Sequence, residues 1–376
     1  MSGPDQGALR VAVTTGPVSI PPTYFVAEHL RHMPDVDGRV FAIAADVTDP
    51  RLRDLVTGVV PSGAGGWRTV LSYQSAVPRL RAQVRRFRPD LVHQHFATWS
   101  LAGAGAAADL GVPFLATLHG YDVFLRSAPV RDVWSFLTAV NLRRCASRAT
   151  SLLTVSEWLA GEAVRRGYPA RSVEVHYQGV DTDFFTPGTL QETELPEILF
   201  VGGLEERKGI RDAIRASVML SADVPHVLRV VGHGSLAGVV ASAAQEHPHI
   251  RPEGLVDRER VRQAMRSAAV FVMPTQSDGE WREAAGLVTA EAQACGVPAV
   301  VYDSGGAPEM LVDGETGIVV PERDTRALAD ALRELLALDQ RERATTGARA
   351  RRFVVEERDS RQSAAELRAR YELLTH

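Results

Sequence analysis

The feature that most constrains this chain is a repeated order. A short apolar run comes first, then a turn of glycine, proline or serine, then a longer stretch with helical spacing. "LRVAVTTG" leads into "PPTYFVAEHLRHM", "RPDLVHQHF" into "SLAGAGAAADLG", and "PFLATLHG" follows. The order restarts near residue 197. There "EILFVGG" leads into "GIRDAIRASVML", "HVLRVVG" into "SLAGVVASAAQE", and "AAVFVMP" into a helix ending "EAQACG", before "PAVVYDSGG". Strands that are unbroken apolar runs and alternate with helices predict parallel α/β sheet covered on both faces. At 376 residues the chain is too long for one core, and two domains are expected. The polar, proline-containing stretch 186–197, "TPGTLQETELPE", is the expected hinge. The predicted architecture is therefore two Rossmann-like domains facing each other across a cleft, residues 1–188 and 189–356. Residues 357–376 should form a last helix whose Ala364, Leu367, Tyr371 and Leu374 pack back on the first domain. In open α/β sheets ligands sit at the carboxyl ends of strands, so the loops after the strands are where chemistry is expected.

Composition narrows the class. Hydrophobic residues at 45% and charged residues at 23% are ordinary for a globular protein. Cys145 and Cys295 are far apart and build neither a disulfide framework nor a metal cluster, which fits a reducing cytoplasm. No apolar run has the length of a membrane helix, and "MSGPDQGALR" lacks the regions of a signal peptide. The basic "RAQVRRFR" has too thin an apolar face for membrane docking and reads as a solvated helix. A net charge of −4 argues against a nucleic-acid partner. The expectation is a cytoplasmic protein.

Two stretches carry chemistry. The chain holds one lysine, Lys208, against forty-one arginines, and it stands in the turn "VGGLEERKGI" after an apolar run. In "EWREAAGLVTAEAQACG", Glu283 and Glu291 are eight apart with Gly286 between them, and the helix should open near Leu287. A helix N-terminus preceded by glycine offers unused N–H groups to a phosphate. Glu291, just over one turn in, can direct a carboxylate at vicinal hydroxyls such as those of a ribose, and Glu283 can reach another polyol. Taken alone, these are equally acids favoured near a helix start by the macrodipole. Two other signals are weaker. "GAGAAA" lies inside a helical pattern, so it lacks the turn of a dinucleotide fingerprint. The histidines of "HQH" have no third ligand in view and read as core or cleft residues.

With Glu283 and Glu291, the stretches "ACGVP", "SGGAPE" and "DGETGIVVPERD" resemble the donor-site signature of the retaining family-4 glycosyltransferases, two-domain enzymes of GT-B architecture. "RPDLVHQHF", "LHGYDV", "LLTVSEWLAGEAVRRGY", "VEVHYQGVDTDFF" and "FVGGLEERKG" occur in that family's order, so the resemblance covers nearly the whole chain. It implies that Glu291 binds the nucleotide ribose, Glu283 the hydroxyls of the donor sugar, and the amides of Gly286, Leu287 and Val288 the diphosphate or sugar. Lys208 would hold the diphosphate as a compact point charge, a role a planar guanidinium fills differently. Many members carry arginine where this chain has Gly203. A variant of the family resembling "GGLEERK" implies that Arg207 supplies the second charge instead, although adjacent side chains ordinarily point different ways. His119, at a strand end, would lie near the donor sugar and donate hydrogen bonds. Asp122 would contact the acceptor or support its loop. The first loop would line the acceptor side, with Gly16 allowing close approach and Pro21 and Pro22 suiting a helix start. "DTD" (residues 181–183) would be structural, and no divalent metal or other cofactor is implied.

The implied activity is transfer of a sugar from a UDP- or GDP-sugar to an acceptor hydroxyl with retention, the acceptor being a small natural product or a glycan. Two alternatives stand beside it. A non-catalytic nucleotide-sugar binding protein would neither hydrolyse nor transfer the donor. A Rossmann oxidoreductase would need a glycine fingerprint directly at a strand–helix turn.

Overall fold

The computed structural model of the chain describes residues 8–20, 23–60, 67–188 and 195–376, and their side chains except those of 67–74. Pro21 and Pro22 lie outside these residues, as do positions 189–194 of the expected hinge. The chain divides into two compact units, Met1–Gln178 with Ser360–His376, and Gly179–Asp359.

The first unit holds an eight-stranded sheet. In chain order its strands are β1 (Leu9–Thr15), β2 (Val18–Ile20), β3 (Val36–Val47), β4 (Val56–Val60), β5 (Leu91–His95), β6 (Phe114–Leu118), β7 (Ser151–Thr154) and β8 (Val173–Val175). They lie in the order β2-β3-β1-β5-β6-β7-β8 with β4 on β3, and every pairing is parallel. The inner strands are buried on both faces, which is why they read as continuous apolar runs. Their last residues turn polar: Thr14 and Thr15 on β1, Gln94 and His95 on β5, Thr117 on β6. These groups are buried, and several satisfy one another, as when the Thr14 hydroxyl donates to Gln94 Oε1 at 2.7 Å. The chain's final helix, Ser360–Thr375, belongs to this unit. Its Ala364, Leu367 and Tyr371 are at most 1% exposed and share a core with Val11, Leu91, Leu115 and Leu153.

The second unit holds a six-stranded parallel sheet of β9 (Glu197–Val201), β10 (Val227–Val231), β11 (Ile250–Gly254), β12 (Val270–Met273), β13 (Ala299–Tyr302) and β14 (Gly317–Val320). The order is β11-β10-β9-β12-β13-β14. Its core joins Ile198, Phe200, Val230, Val272 and Val300 to Ile210 and Leu332 from the covering helices.

The chain enters the second unit at Gly179, earlier than the expected domain boundary between residues 188 and 189. The reason is the packing of residues 180–186. Arg351 donates to the carbonyls of Thr182 at 2.8 Å and Ala294 at 2.9 Å, and Arg266 Nε to that of Thr186 at 2.7 Å. Phe185 is 1% exposed, and Arg258 and Arg262 lie over the Phe184 ring at 4.3 and 4.6 Å. Asp181 Oδ1 caps the N–H of Phe184 at 2.9 Å, a turn-forming role.

Candidate active site

The turn after β9 is built by geometry. A short 3₁₀ turn, Glu206–Lys208, ends at Gly209, and the helix Ile210–Leu220 follows. Gly209 has φ +70°, and a Cβ there would stand 1.9 Å from the Pro274 carbonyl oxygen, so only glycine brings this turn against the end of β12. The loop after β12 is strapped to the same turn. Gln276 donates its N–H to the Arg207 carbonyl at 2.9 Å and its side-chain amide to that of Glu206 at 3.0 Å.

This arrangement brings Lys208 and Glu283 together across 75 positions of sequence. Lys208 Nζ lies 2.5 Å from Glu283 Oε2, with the two side chains 23% and 12% exposed. Glu283 is fixed from behind, its carbonyl accepting the N–H of Gly306 at 2.8 Å. The helix Leu287–Ala294 opens as the spacing predicts, with Gly286 left-handed at its N-cap (φ +87°). The Glu283 side chain passes 3.8 Å from where a Cβ on Gly286 would stand. The ion pair therefore adjoins a helix start, where the Thr289 N–H donates to the Gly286 carbonyl at 2.9 Å and the N–H groups of Leu287 and Val288 come before the first intrahelical bond. Leu287, Val288 and Glu291 keep part of their surface exposed on that helix.

Arg207 shares the turn. Its Nε donates to Glu205 Oε2 at 2.6 Å, and its guanidinium lies 4.5 Å from the centre of the Trp281 ring. The Lys208 ammonium is 5.7 Å from the same ring. Gly203 makes no comparable demand. A Cβ there would meet nothing closer than the Glu205 side chain at 3.8 Å, so the position lacks a charge by residue choice and not for want of space.

In the first unit the loops after β5 and β6 meet. Asp122 is fully buried, its carboxylate accepting the N–H groups of Ala97 (3.0 Å), His119 (2.9 Å), Gly120 (3.1 Å) and Val123 (3.1 Å). Of the two roles expected for it, acceptor contact fails on burial, and the loop-holding role is what the geometry serves. Burial pushes its pKa up to about 6 against the pull of those N–H groups. His119 stands next to it. Its Nε2 is 3.0 Å from His95 Nδ1, and its Nδ1 is 3.5 Å from Gln178 Nε2. The ring is packed by Phe96 and Phe25, with centroids at 4.2 and 4.9 Å. Desolvation drops its pKa to about 3, so the imidazole is neutral near pH 7 and acts as a hydrogen-bonding group. Gly16 is covered by the Trp99 indole, whose Cδ1 would lie 2.3 Å from an added Cβ. The close approach expected there serves a side chain of this protein.

The "HQH" pair divides its roles. His93 sits between Tyr371 OH and Thr117 Oγ1, both at 2.7 Å, while His95 turns to His119. Among the described residues no three or more His, Cys, Asp or Glu are grouped to hold a metal ion, and no helix is long and apolar enough to cross a membrane. Both cysteines are free and buried. Sequence reasoning missed Trp281 and Gly306 as neighbours of Lys208 and Glu283, and His95 as the partner of His119. The local signals were "SGGAPE", quoted for its likeness alone, and "HQH", read as core or cleft.

Comparison with known proteins gives the family and the fold. The model of Glycosyltransferase Family 4 matches residues 23–184, and that of Glycosyl transferases group 1 matches residues 181–353. The chain is 31% identical over 280 residues to a putative colanic acid biosynthesis glycosyltransferase, WcaL, of Escherichia coli (strain K12), covering 71% of this chain and 66% of that protein. It is 30% identical over 312 residues to a GDP-mannose-dependent alpha-(1-6)-phosphatidylinositol monomannoside mannosyltransferase of Mycobacterium tuberculosis (strain CDC 1551 / Oshkosh), covering 77% of this chain and 80% of that one. In fold it is similar to Anabaena Alr3699/HepE, solved in complex with UDP and glucose, with a TM-score of 0.76, 17% identity and coverage of 96% and 99%. It is also similar to sucrose-phosphate synthase from Thermosynechococcus elongatus, with a TM-score of 0.74, 21% identity and coverage of 97% and 99%. The two parallel-sheet units are those of the GT-B fold, and the chain belongs to the family-4, group-1 glycosyltransferases.

Proposed function

We propose that this glycosyltransferase takes its sugar from a nucleoside-diphosphate sugar held by the second unit and passes it, with retention, to an acceptor hydroxyl. The carrying observation is the Lys208–Glu283 pair, 2.5 Å apart and adjoining the helix start at Gly286. A diphosphate arriving there competes with Glu283 for the ammonium and frees the carboxylate to accept hydrogen bonds from the donor sugar's hydroxyls. Glu291, farther along the helix, takes the ribose hydroxyls, and the amides of Gly286, Leu287 and Val288 meet the phosphoryl oxygens. In the reaction the bond between the anomeric carbon and the phosphate oxygen breaks. The acceptor oxygen bonds to that carbon from the same face, and its proton goes to the departing phosphate. Stabilising that phosphate is the protein's main task, met by Lys208, Arg207 and N–H groups already in place. His119, neutral, donates or accepts a hydrogen bond.

The reaction as proposed needs no divalent ion, since the cationic side chains neutralise the leaving group, and turnover should survive a chelator. UDP and GDP are the bases to test first, because a relative is named GDP-mannose-dependent and a structural neighbour was solved with UDP. A thermal-shift panel of UDP, GDP, ADP, dTDP and their sugars should raise the melting temperature for the true donor by mass action. A flat response to all of them would refute the reading. Hydrolysis or transfer of the donor that binds separates an enzyme from a binding protein.

A further inference from the structure

A diphosphate presents two charged phosphoryl groups, and a site for it is served by two cations held at a fixed spacing. Neighbouring residues on a chain ordinarily aim their side chains apart. In the second unit Arg207 and Lys208 do not. The 3₁₀ turn Glu206–Lys208 lets both reach one ring, with the Arg207 guanidinium 4.5 Å and the Lys208 ammonium 5.7 Å from the centre of the Trp281 indole. The negative face of an indole attracts cations and is rigid where both side chains are flexible. Each cation also has a carboxylate partner, Glu205 at 2.6 Å and Glu283 at 2.5 Å.

The backbone that carries the ring is closed into a turn. The backbone N–H of Trp281 donates to the Asp278 carbonyl at 2.9 Å, and the Trp281 carbonyl accepts the backbone N–H of Asp278 at 3.2 Å, closing a tight turn. The same loop is strapped to the 3₁₀ turn through Gln276, which bonds the carbonyls of Arg207 and Glu206. Loop and turn form one body, and the indole is its organising surface.

We propose that Trp281 is a positioning residue for the donor's diphosphate, gathering Arg207 and Lys208 on one ring so that two adjacent residues serve two phosphoryl groups. This rests on the donor-site reading given above. Calorimetric titration of the full chain with UDP and GDP, and with UMP and GMP as single-phosphate controls, separates the two. Trp281→Leu should weaken binding of the preferred diphosphate about tenfold or more while changing the monophosphate less than about twofold. Trp281→Phe should recover most of the loss. Arg207→Ala should show the same selectivity, and the double variant should lose clearly less than the product of the two single losses, because each acts through the other.

Diphosphate affinity unchanged in Trp281→Leu would overturn the proposal, as would equal losses for mono- and diphosphate or multiplicative losses in the double variant. If Trp281→Leu fails to fold, Trp281→Gln, which also removes the ring face, decides by the same comparison. If the wild-type chain binds neither UDP nor GDP, the donor-site reading fails and takes the proposal with it. Tight wild-type binding with indifferent variants condemns the role of Trp281 alone.

Discussion

Replacing Lys208 by arginine keeps the charge and changes only its shape, so it tests whether the single lysine is a matter of function. The ammonium is 2.5 Å from Glu283, and both side chains are largely covered. At an effective dielectric constant of about 20, a unit charge about 4 Å from a phosphoryl oxygen is worth about 4 kcal/mol. Removing one such contact from a transition state typically costs about 2.7–4 kcal/mol, or about 100- to 1,000-fold in kcat. That is the range expected for Lys208→Ala. In Lys208→Arg the guanidinium is longer, planar and able to grip Glu283 through two parallel bonds, so it should yield the carboxylate reluctantly. A loss of about tenfold or more in kcat is expected, measured as transfer or hydrolysis of the donor identified by thermal shift. The fold should hardly notice. Lys208→Arg keeps a charge opposite Glu283, so the fold should lose at most about 1 kcal/mol, and a unit of this size loses about 2–4 °C in Tm per kcal/mol. Lys208→Arg turning over within threefold of wild type, with its fold intact, would refute the argument.

The buried histidines make the first unit acid-sensitive. His29 and His119 are lowered to about 3, chiefly by burial, and His93, His95 and His176 are lowered as well. Between pH 6.5 and 3 the unfolded chain therefore binds protons that the folded unit refuses. Stability falls as pH drops, by up to about 1.4 kcal/mol per pH unit for each fully shifted histidine. Asp122, raised to about 6, has the opposite sign between about pH 6 and 4 and offsets roughly one of them. The urea midpoint should thus be lower at pH 5.5 than at 7.5, and His29→Gln should shallow the trend; equal midpoints would contradict it. Leu367→Ala, at a site 1% exposed in the final helix, should cost about 2–5 kcal/mol, seen as a lower urea midpoint with activity per folded molecule kept. Gly203→Arg has room for its Cβ and should leave the fold unchanged while tightening UDP or GDP binding severalfold at low salt, by titration. Weaker binding there would show that the turn cannot use a third cation.

Much of this molecule is legible locally. Alternating buried strands and helices follow from apolar runs and turn residues within a few positions of each other, and so does the start of the helix at Leu287. The apolar face of the last helix shows in its spacing for the same reason. The entry into the second unit was misplaced because residues 180–186 are irregular in sequence. Their anchors, Arg266 and Arg351, lie 80 or more positions away.

The α/β architecture, the family, and the prominence of Lys208, Glu283 and Glu291 can be read from the chain alone. Each depends on residue type and short-range spacing. Tertiary structure alone decided that Lys208 pairs with Glu283, that Arg207 and Lys208 share the Trp281 ring, that Asp122 is a buried brace and that His119 is kept neutral. Those properties belong to distances and burial between segments up to 75 positions apart, and no local pattern encodes how deeply a carboxylate or an imidazole will be desolvated.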